Sequence, residues 1–234
     1  MLELTLIRNA TLLLSDDGRR ILVDPMLRDA GTTPPIENTP NQVPNPLVPL
    51  PLPAEEVVAA ATECIVTHLH GDHFDDAAAE LLPRDMPILT QPASADALRA
   101  RGFSQVRTSD SEIPLTDGRH GLGEMADALG PVSGFVYAGV YVAGDTILCD
   151  EVFEAIERHR PRTIVVNGGG ARFLDSERIV MDAGDVRRLR DEYDGEIVVV
   201  HLEAINHCIE PRSLYREIDD VVVPDDGDRL GLTG

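Results

Sequence analysis

The stretch Cys64-Ile65-Val66-Thr67-His68-Leu69-His70-Gly71-Asp72-His73 sets three histidines and one aspartate within six positions, directly after an apolar run. The run at 64–66 reads as a buried strand. In an extended segment, side chains two apart point the same way, so His68 and His70 can grip one ion together. Gly71 lets the backbone turn sharply. Asp72 and His73 can then face a second ion nearby. Imidazole nitrogens and carboxylate oxygens suit Zn2+, with Mn or Fe as alternatives. The bland reading is a polar loop with surface histidines. Four such residues at this spacing argue against it.

Outward from this motif the pattern alternates. Upstream, apolar runs at 2–7, 11–14 and 21–23 surround the turn signal Asp16-Asp17-Gly18 and read as a meander of strands. The third run stops at Asp24-Pro25, where proline blocks further pairing. Between it and the motif, 32–53 holds eight of the chain's 17 prolines. No helix or central strand survives that density, so a stiff surface loop or lid is expected there. Downstream, helical patterns at 55–61, 75–82, 93–101, 151–158, 182–193 and 211–218 alternate with strand patterns. Those strands are expected at 88–90, 134–137, 140–143, 163–167, 197–200 and 221–223. The class is α/β, and the strand-rich opening argues against a simple doubly wound sheet. One domain over 1–234 is expected.

Composition narrows the setting. The chain has 234 residues, long enough for a substantial core. Its hydrophobic share of 43% excludes global disorder. No apolar run is long enough to span a membrane, and Met1-Leu2-Glu3-Leu4-Thr5 shows no signal-peptide pattern. Three scattered cysteines, Cys64, Cys149 and Cys208, form no disulfide framework, which points to a reducing cytoplasm. Twenty basic residues against 41 acidic ones leave a net charge of −21. None of the basic residues is lysine. Such a surface repels nucleic acid and anionic membranes in dilute salt. It fits a protein built for molar salt, as in salt-in halophilic archaea.

His68-x-His70-x-Asp72-His73 after an apolar strand resembles the metallo-β-lactamase superfamily. The resemblance implies a four-layer αβ/βα sandwich with its site at one edge of two facing sheets. It also implies further ligands downstream. A bridging aspartate is expected just after a strand, and Val140-Tyr141-Val142-Ala143-Gly144-Asp145 supplies it. His120 is the only histidine between the motif and Asp145. A late strand should end in a histidine, and Val198-Val199-Val200-His201 does so; His207, six residues on, competes for that role. Asp24 fits a supporting position, although an Asp-Pro turn explains it nearly as well. The Pro-rich segment with Asn45-Pro46-Leu47 looks most like the lactonase-like branch, typified by L-ascorbate-6-phosphate lactonase.

The resemblance thus implies two Zn2+, one on His68, His70 and His120, the other on Asp72, His73 and His201, with Asp145 shared. A metal-bound hydroxide would attack a small lactone or ester, with Asp72 orienting it and moving its proton. Gly168-Gly169-Gly170-Ala171-Arg172 is no Walker loop, since the lysine is missing. Its amides could form an anion nest, with Arg172 as clamp and Asn167 beside it as a further substrate contact; a plain turn is the equal alternative. His207 is a third candidate substrate contact. A nuclease on the same fold competes, but no basic cluster supports it. A non-enzymatic metal-stabilised binding protein is the remaining alternative, and seven ligands around open positions argue against it. A small-molecule substrate is the expected partner, and a homo-oligomer stays open.

Overall fold

Two mixed sheets account for most of residues 2–232, which are the residues this computed structural model describes; Met1, Thr233 and Gly234 lie outside them. The first half contributes β1 (Leu2–Arg8), β2 (Thr11–Ser15), β3 (Arg20–Val23), α1 (Ala54–Ala60), β4 (Glu63–Val66), α2 (Asp76–Leu81), β5 (Ile88–Thr90), α3 (Pro92–Ala100) and β6 (Val106–Arg107). The second half contributes β7 (Leu115–Asp117), α4 (Gly123–Leu129), β8 (Ser133–Tyr137), β9 (Val140–Val142), α5 (Asp150–His159), β10 (Thr163–Asn167), α6 (Ala183–Glu192), β11 (Glu196–Val200), α7 (Arg212–Tyr215), β12 (Val221–Val222) and β13 (Arg229–Leu232). The first sheet runs β13-β1-β2-β3-β4-β5-β6 and the second β12-β11-β10-β9-β8-β7. Each is antiparallel at one end and parallel at the other, because hairpins give way to helical crossovers along the chain.

The layers follow from side-chain alternation. Leu4, Leu14, Ile21 and Ile65 of the first sheet meet Phe135, Val142, Val165 and Val198 of the second in one core. The alternate residues Leu22, Cys64, Val66 and Ile88 pack outward on α1, α2 and α3 through Val57, Ala78 and Leu98. Ile164, Val166, Ile197 and Val199 pack outward on α5 and α6 through Val152, Val186 and Leu189. The result is helix, sheet, sheet, helix, the expected four-layer sandwich. Strands buried on both faces must be apolar throughout, which is why the central ones read so plainly.

The segment 32–53 carries no helix and only one isolated bridge, Thr33 to Asn45. The expected helix at 211–218 is shorter, four residues of α7. Four elements had no sequence signal: β6, β7, α4 and β13. Among the described residues, no helix is long and apolar enough to cross a membrane.

Candidate metal centre

Every motif residue sits just beyond the C-terminal end of a strand. Asp24 follows β3, the His68 motif follows β4, Asp145 follows β9 and His201 follows β11. Parallel neighbours end together, so these residues gather at one edge of both sheets. The backbone is bent to suit: φ is +43° at Asp24 and +63° at His201, values that non-glycine residues rarely adopt. Gly144, at φ +69°, has Ser133 O only 2.8 Å from where a Cβ would lie, so glycine is needed for Asp145 to come close.

Two clusters result. His68, His70 and His120 offer one nitrogen each, all within 4.8 Å of one another. Asp72, His73, Asp145 and His201 do the same with one atom each. Asp145 touches both: its Oδ2 lies 3.1 Å from His73 Nε2, 3.6 Å from His120 Nε2 and 3.9 Å from His68 Nε2. Asp72 Oδ2 lies 3.4 Å from His201 Nε2 and 3.9 Å from His207 Nε2.

Each of the five histidines has its other ring nitrogen tied to the protein. Thr67 Oγ1 lies 3.1 Å from His68 Nδ1. Leu129 O holds His70 Nε2 at 3.1 Å, and Ile179 O holds His120 Nδ1 at 2.9 Å. Asp24 Oδ2 accepts from His73 Nδ1 at 2.8 Å and from the Thr67 hydroxyl at 2.7 Å. Cys208 Sγ lies 3.3 Å from His201 Nδ1. Fixing one nitrogen fixes the tautomer and aims the other inward. The inward atoms His73 Nε2, His201 Nε2 and Asp72 Oδ2 are buried without a hydrogen-bond partner. Unpartnered buried polar atoms are costly, and a cation between them removes that cost. The donor set therefore fits divalent metal.

The electrostatics are those of a tightly coupled cluster. Burial would push the Asp145 carboxyl up, but His73, His201 and His120 hold it well below the usual carboxylate range. The same contest leaves Asp72 low, through His73, His201 and His207. Burial drives His68 well below the ordinary imidazole value and His207 down to about 4. His73 resists burial because Asp145, Asp72 and Asp24 surround it, and it rises to about 10.

A cavity of about 670 Å3 opens onto His70, Asp72, His120, Asp145 and His207. Its walls are mostly apolar, with Met26, Ile36, Leu69, Phe74, Phe173 and Ile179 among them. The 32–53 segment supplies one wall through Thr33, Pro34, Ile36, Asn45 and Pro46.

Three sequence expectations land elsewhere. Asn167 does not line the cavity; its Nδ2 donates to Asp145 Oδ1 at 2.7 Å and so orients that carboxylate. Arg172 is exposed and outside the cavity lining. The 168–170 amides form no anion nest, because they donate to Val200 O, the Tyr215 hydroxyl and Met181 O. A Cβ on Gly168 would lie 2.7 Å from Val199 Cγ1, so this glycine serves packing. Asn9 went unnoticed in the sequence. Its Nδ2 donates to Asp72 O at 3.0 Å and its carbonyl accepts from His201 N at 3.0 Å, joining both ligand loops. Only its position in a short turn could have hinted at this.

No family model matches the chain. YddR of Bacillus subtilis strain 168, a UPF0173 protein, is 34% identical, over 97% of this chain and 98% of that protein. A UPF0173 metal-dependent hydrolase of Cereibacter sphaeroides is 30% identical over 157 residues, 59% of this chain and 67% of that protein. The crystal structure of an isothiocyanate hydrolase from Delia radicum gut bacteria superposes with a TM-score of 0.91 at 33% identity, over 99% of this chain and 100% of that one. YhfI of Bacillus subtilis, a metallo-β-lactamase fold protein, shares the architecture at 13% identity and a TM-score of 0.61. With likeness along nearly its whole length and inward-facing donors where such enzymes need them, the chain belongs to the UPF0173 family and is a metal-dependent hydrolase on the metallo-β-lactamase fold.

Proposed function

We propose that this hydrolase holds two divalent ions, zinc by preference, and opens a small, largely apolar substrate at an electrophilic carbon bonded to oxygen, nitrogen or sulfur. Lactones, esters and the isothiocyanates of its gut-bacterial relative share that chemistry. His68, His70 and His120 hold one ion, Asp72, His73 and His201 the other, and Asp145 both. Mn or Fe would suit the same donors. Two such ions supply Lewis acidity and a hydroxide available at neutral pH. Asp72, whose carboxylate lines the cavity floor, orients the attacking water and takes its proton. His207, buried beside Asp72 and facing the cavity, donates a hydrogen bond to the substrate heteroatom. Asp24 and Asn167 hold His73 and Asp145 in register. The 32–53 wall excludes bulk water from the reacting carbon. A cytoplasm of high salt is the setting we infer from the charge and the three free cysteines.

The observation that carries this reading is the run of unpartnered inward atoms at the floor of an apolar cavity. The apolar lining also weighs against a phosphodiester, whose charge such walls would leave unsolvated. Elemental analysis of protein purified with zinc should find about two ions per chain, lost together with activity in His70→Ala. Turnover should be faster on isothiocyanates or lactones than on phosphodiesters. A folded protein that takes up no metal would sink the site assignment. Faster cleavage of single-stranded RNA than of any carbonyl-type substrate would favour the nuclease.

A further inference from the structure

The 32–53 wall has almost no internal ladder to hold its shape, so its position is set from outside. One side chain does most of this. Asn206 is fully buried. Its Oδ1 accepts from Ile36 N at 3.1 Å and from Asn45 Nδ2 at 2.7 Å. Its Nδ2 donates to Ile36 O, Thr39 Oγ1 and Asn41 O at 2.9, 2.7 and 2.6 Å. Its backbone amide donates to Asn45 Oδ1 at 2.9 Å. Beside it, Leu47 N donates to Ala204 O at 2.8 Å. Other ties reach the segment, from Arg8 to Val48 O and from Leu174 N to Asn38 O. Asn206 differs from them because it sits in the loop that carries both His201 and His207.

Its surroundings make it a spacer. Ile205 and His207 on either side face the cavity, as do Ile36 and Asn45 across from it. Asn206 itself does not line the cavity. We propose that Asn206 is a specificity-determining positioning residue: it sets the gap between the 32–53 wall and the His201–His207 loop, and so which substrate bodies fit beside the reacting carbon. The inference rests on the reading that this cavity receives the substrate.

Substitution separates this from a merely structural role. Asn206→Asp keeps the size and one acceptor but loses both N–H donors, and sets a carboxylate oxygen against the Ile36 and Asn41 carbonyls. The wall should detach while the metal ligands, tied elsewhere, stay in place. Asn45→Asp is the milder second variant, since it keeps the acceptor for Asn206 N and loses only the donor to Asn206 Oδ1.

The test uses the full chain loaded with zinc. It reads metal content, amide exchange, and kcat and KM along a series of n-alkyl isothiocyanates and matching lactones of rising tail length. In Asn206→Asp, exchange at Thr33, Asn45 and Leu47 should quicken about tenfold or more, the scale of one or two lost hydrogen bonds. Metal content should hold and kcat should stay within about threefold, while KM for short tails rises about tenfold and the preference for tail length flattens. Asn45→Asp should shift the same readings in the same direction, by less. An unchanged tail-length preference in a variant whose wall amides exchange faster would overturn the inference. So would unchanged protection of those three amides in both variants. A wild-type protein inert on both series would sink the substrate reading alone, and the exchange data would still decide whether Asn206 holds the wall.

Discussion

Single atoms decide whether a histidine cluster becomes a metal site. The spacing of His68, His70, Asp72 and His73 was legible because the alternation of an extended chain is local. What aims each ring was not, because the partners are distant in sequence: Leu129 O for His70, Ile179 O for His120, Cys208 for His201. Asp24 shows the difference. In sequence it is nearly indistinguishable from an Asp-Pro turn. In the fold it is 1% exposed and accepts from Thr67 N, the Thr67 hydroxyl and His73 Nδ1. Asn167 drew notice as a substrate contact, yet it serves Asp145, because position after a strand does not reveal what lies on the neighbouring strand. Asp24→Ala leaves the His73 ring and the Thr67 hydroxyl without their acceptor. Metal affinity should fall about 10- to 100-fold in a protein that still folds, measured by competition with a chromophoric chelator. Equal affinity in a folded Asp24→Ala would mean that the His73 ring is aimed by packing alone.

Elements were legible where burial imposed a pattern. The central strands β4, β10 and β11 are apolar on both faces and announce themselves. α4 has no buried residue, so it carries no apolar stripe to read. β13 spans four residues and follows the acidic turn Asp225-Asp226-Gly227-Asp228; only its pairing with β1 makes it a strand. Contacts between elements were hidden for the same reason. The Tyr137 hydroxyl, at the end of β8, donates to Asp16 in the turn between β2 and β3, joining the two sheets at their rim. Arg19 covers the same ring, with its guanidinium carbon 5.6 Å from the centroid. The Tyr137 bond, foremost, lowers the Asp16 carboxyl, with the Gly18 and Arg19 amides adding to it. A carboxylate with a lowered folded pKa adds stability above its unfolded value, which is lost as pH falls through the folded one. Tyr137→Phe should therefore cost about 1 kcal/mol or less near pH 7, small because Asp16 is largely solvated. Melting curves should show the gap to wild type narrowing as pH drops from 5 toward 3, below about the usual carboxylate range. A gap that stays constant would assign the cost to lost ring packing instead.

For the whole molecule, charge is the dominant fact. A surface of 10102 Å2 carries a net charge of −21, about one unpaired negative charge for every 500 Å2. The arginines are largely engaged: Arg19 and Arg107 share Glu63 and Asp110, Arg178 pairs with Asp185, and Arg212 bridges Glu203 and Asp226. Salt weakens these pairs and the carboxylate repulsion alike. The sign of its effect follows from burial and number. Asp185 and Glu63 are nearly buried, so their pairs are screened little, whereas the surplus carboxylates lie where ions reach them. Repulsion should lose more than attraction, and the melting temperature should rise between 0.1 M and 2 M KCl. The shape of the rise identifies its cause. The Debye length shrinks from about 10 Å to about 3 Å by 1 M, so relief by screening should be mostly complete there. A rise that continues linearly beyond 1 M would point instead to salt excluded from the protein surface, which strengthens burial whatever the charge. A flat or falling curve would mean that ion pairs outweigh the surplus, and the acidic surface would then carry no adaptation to salt.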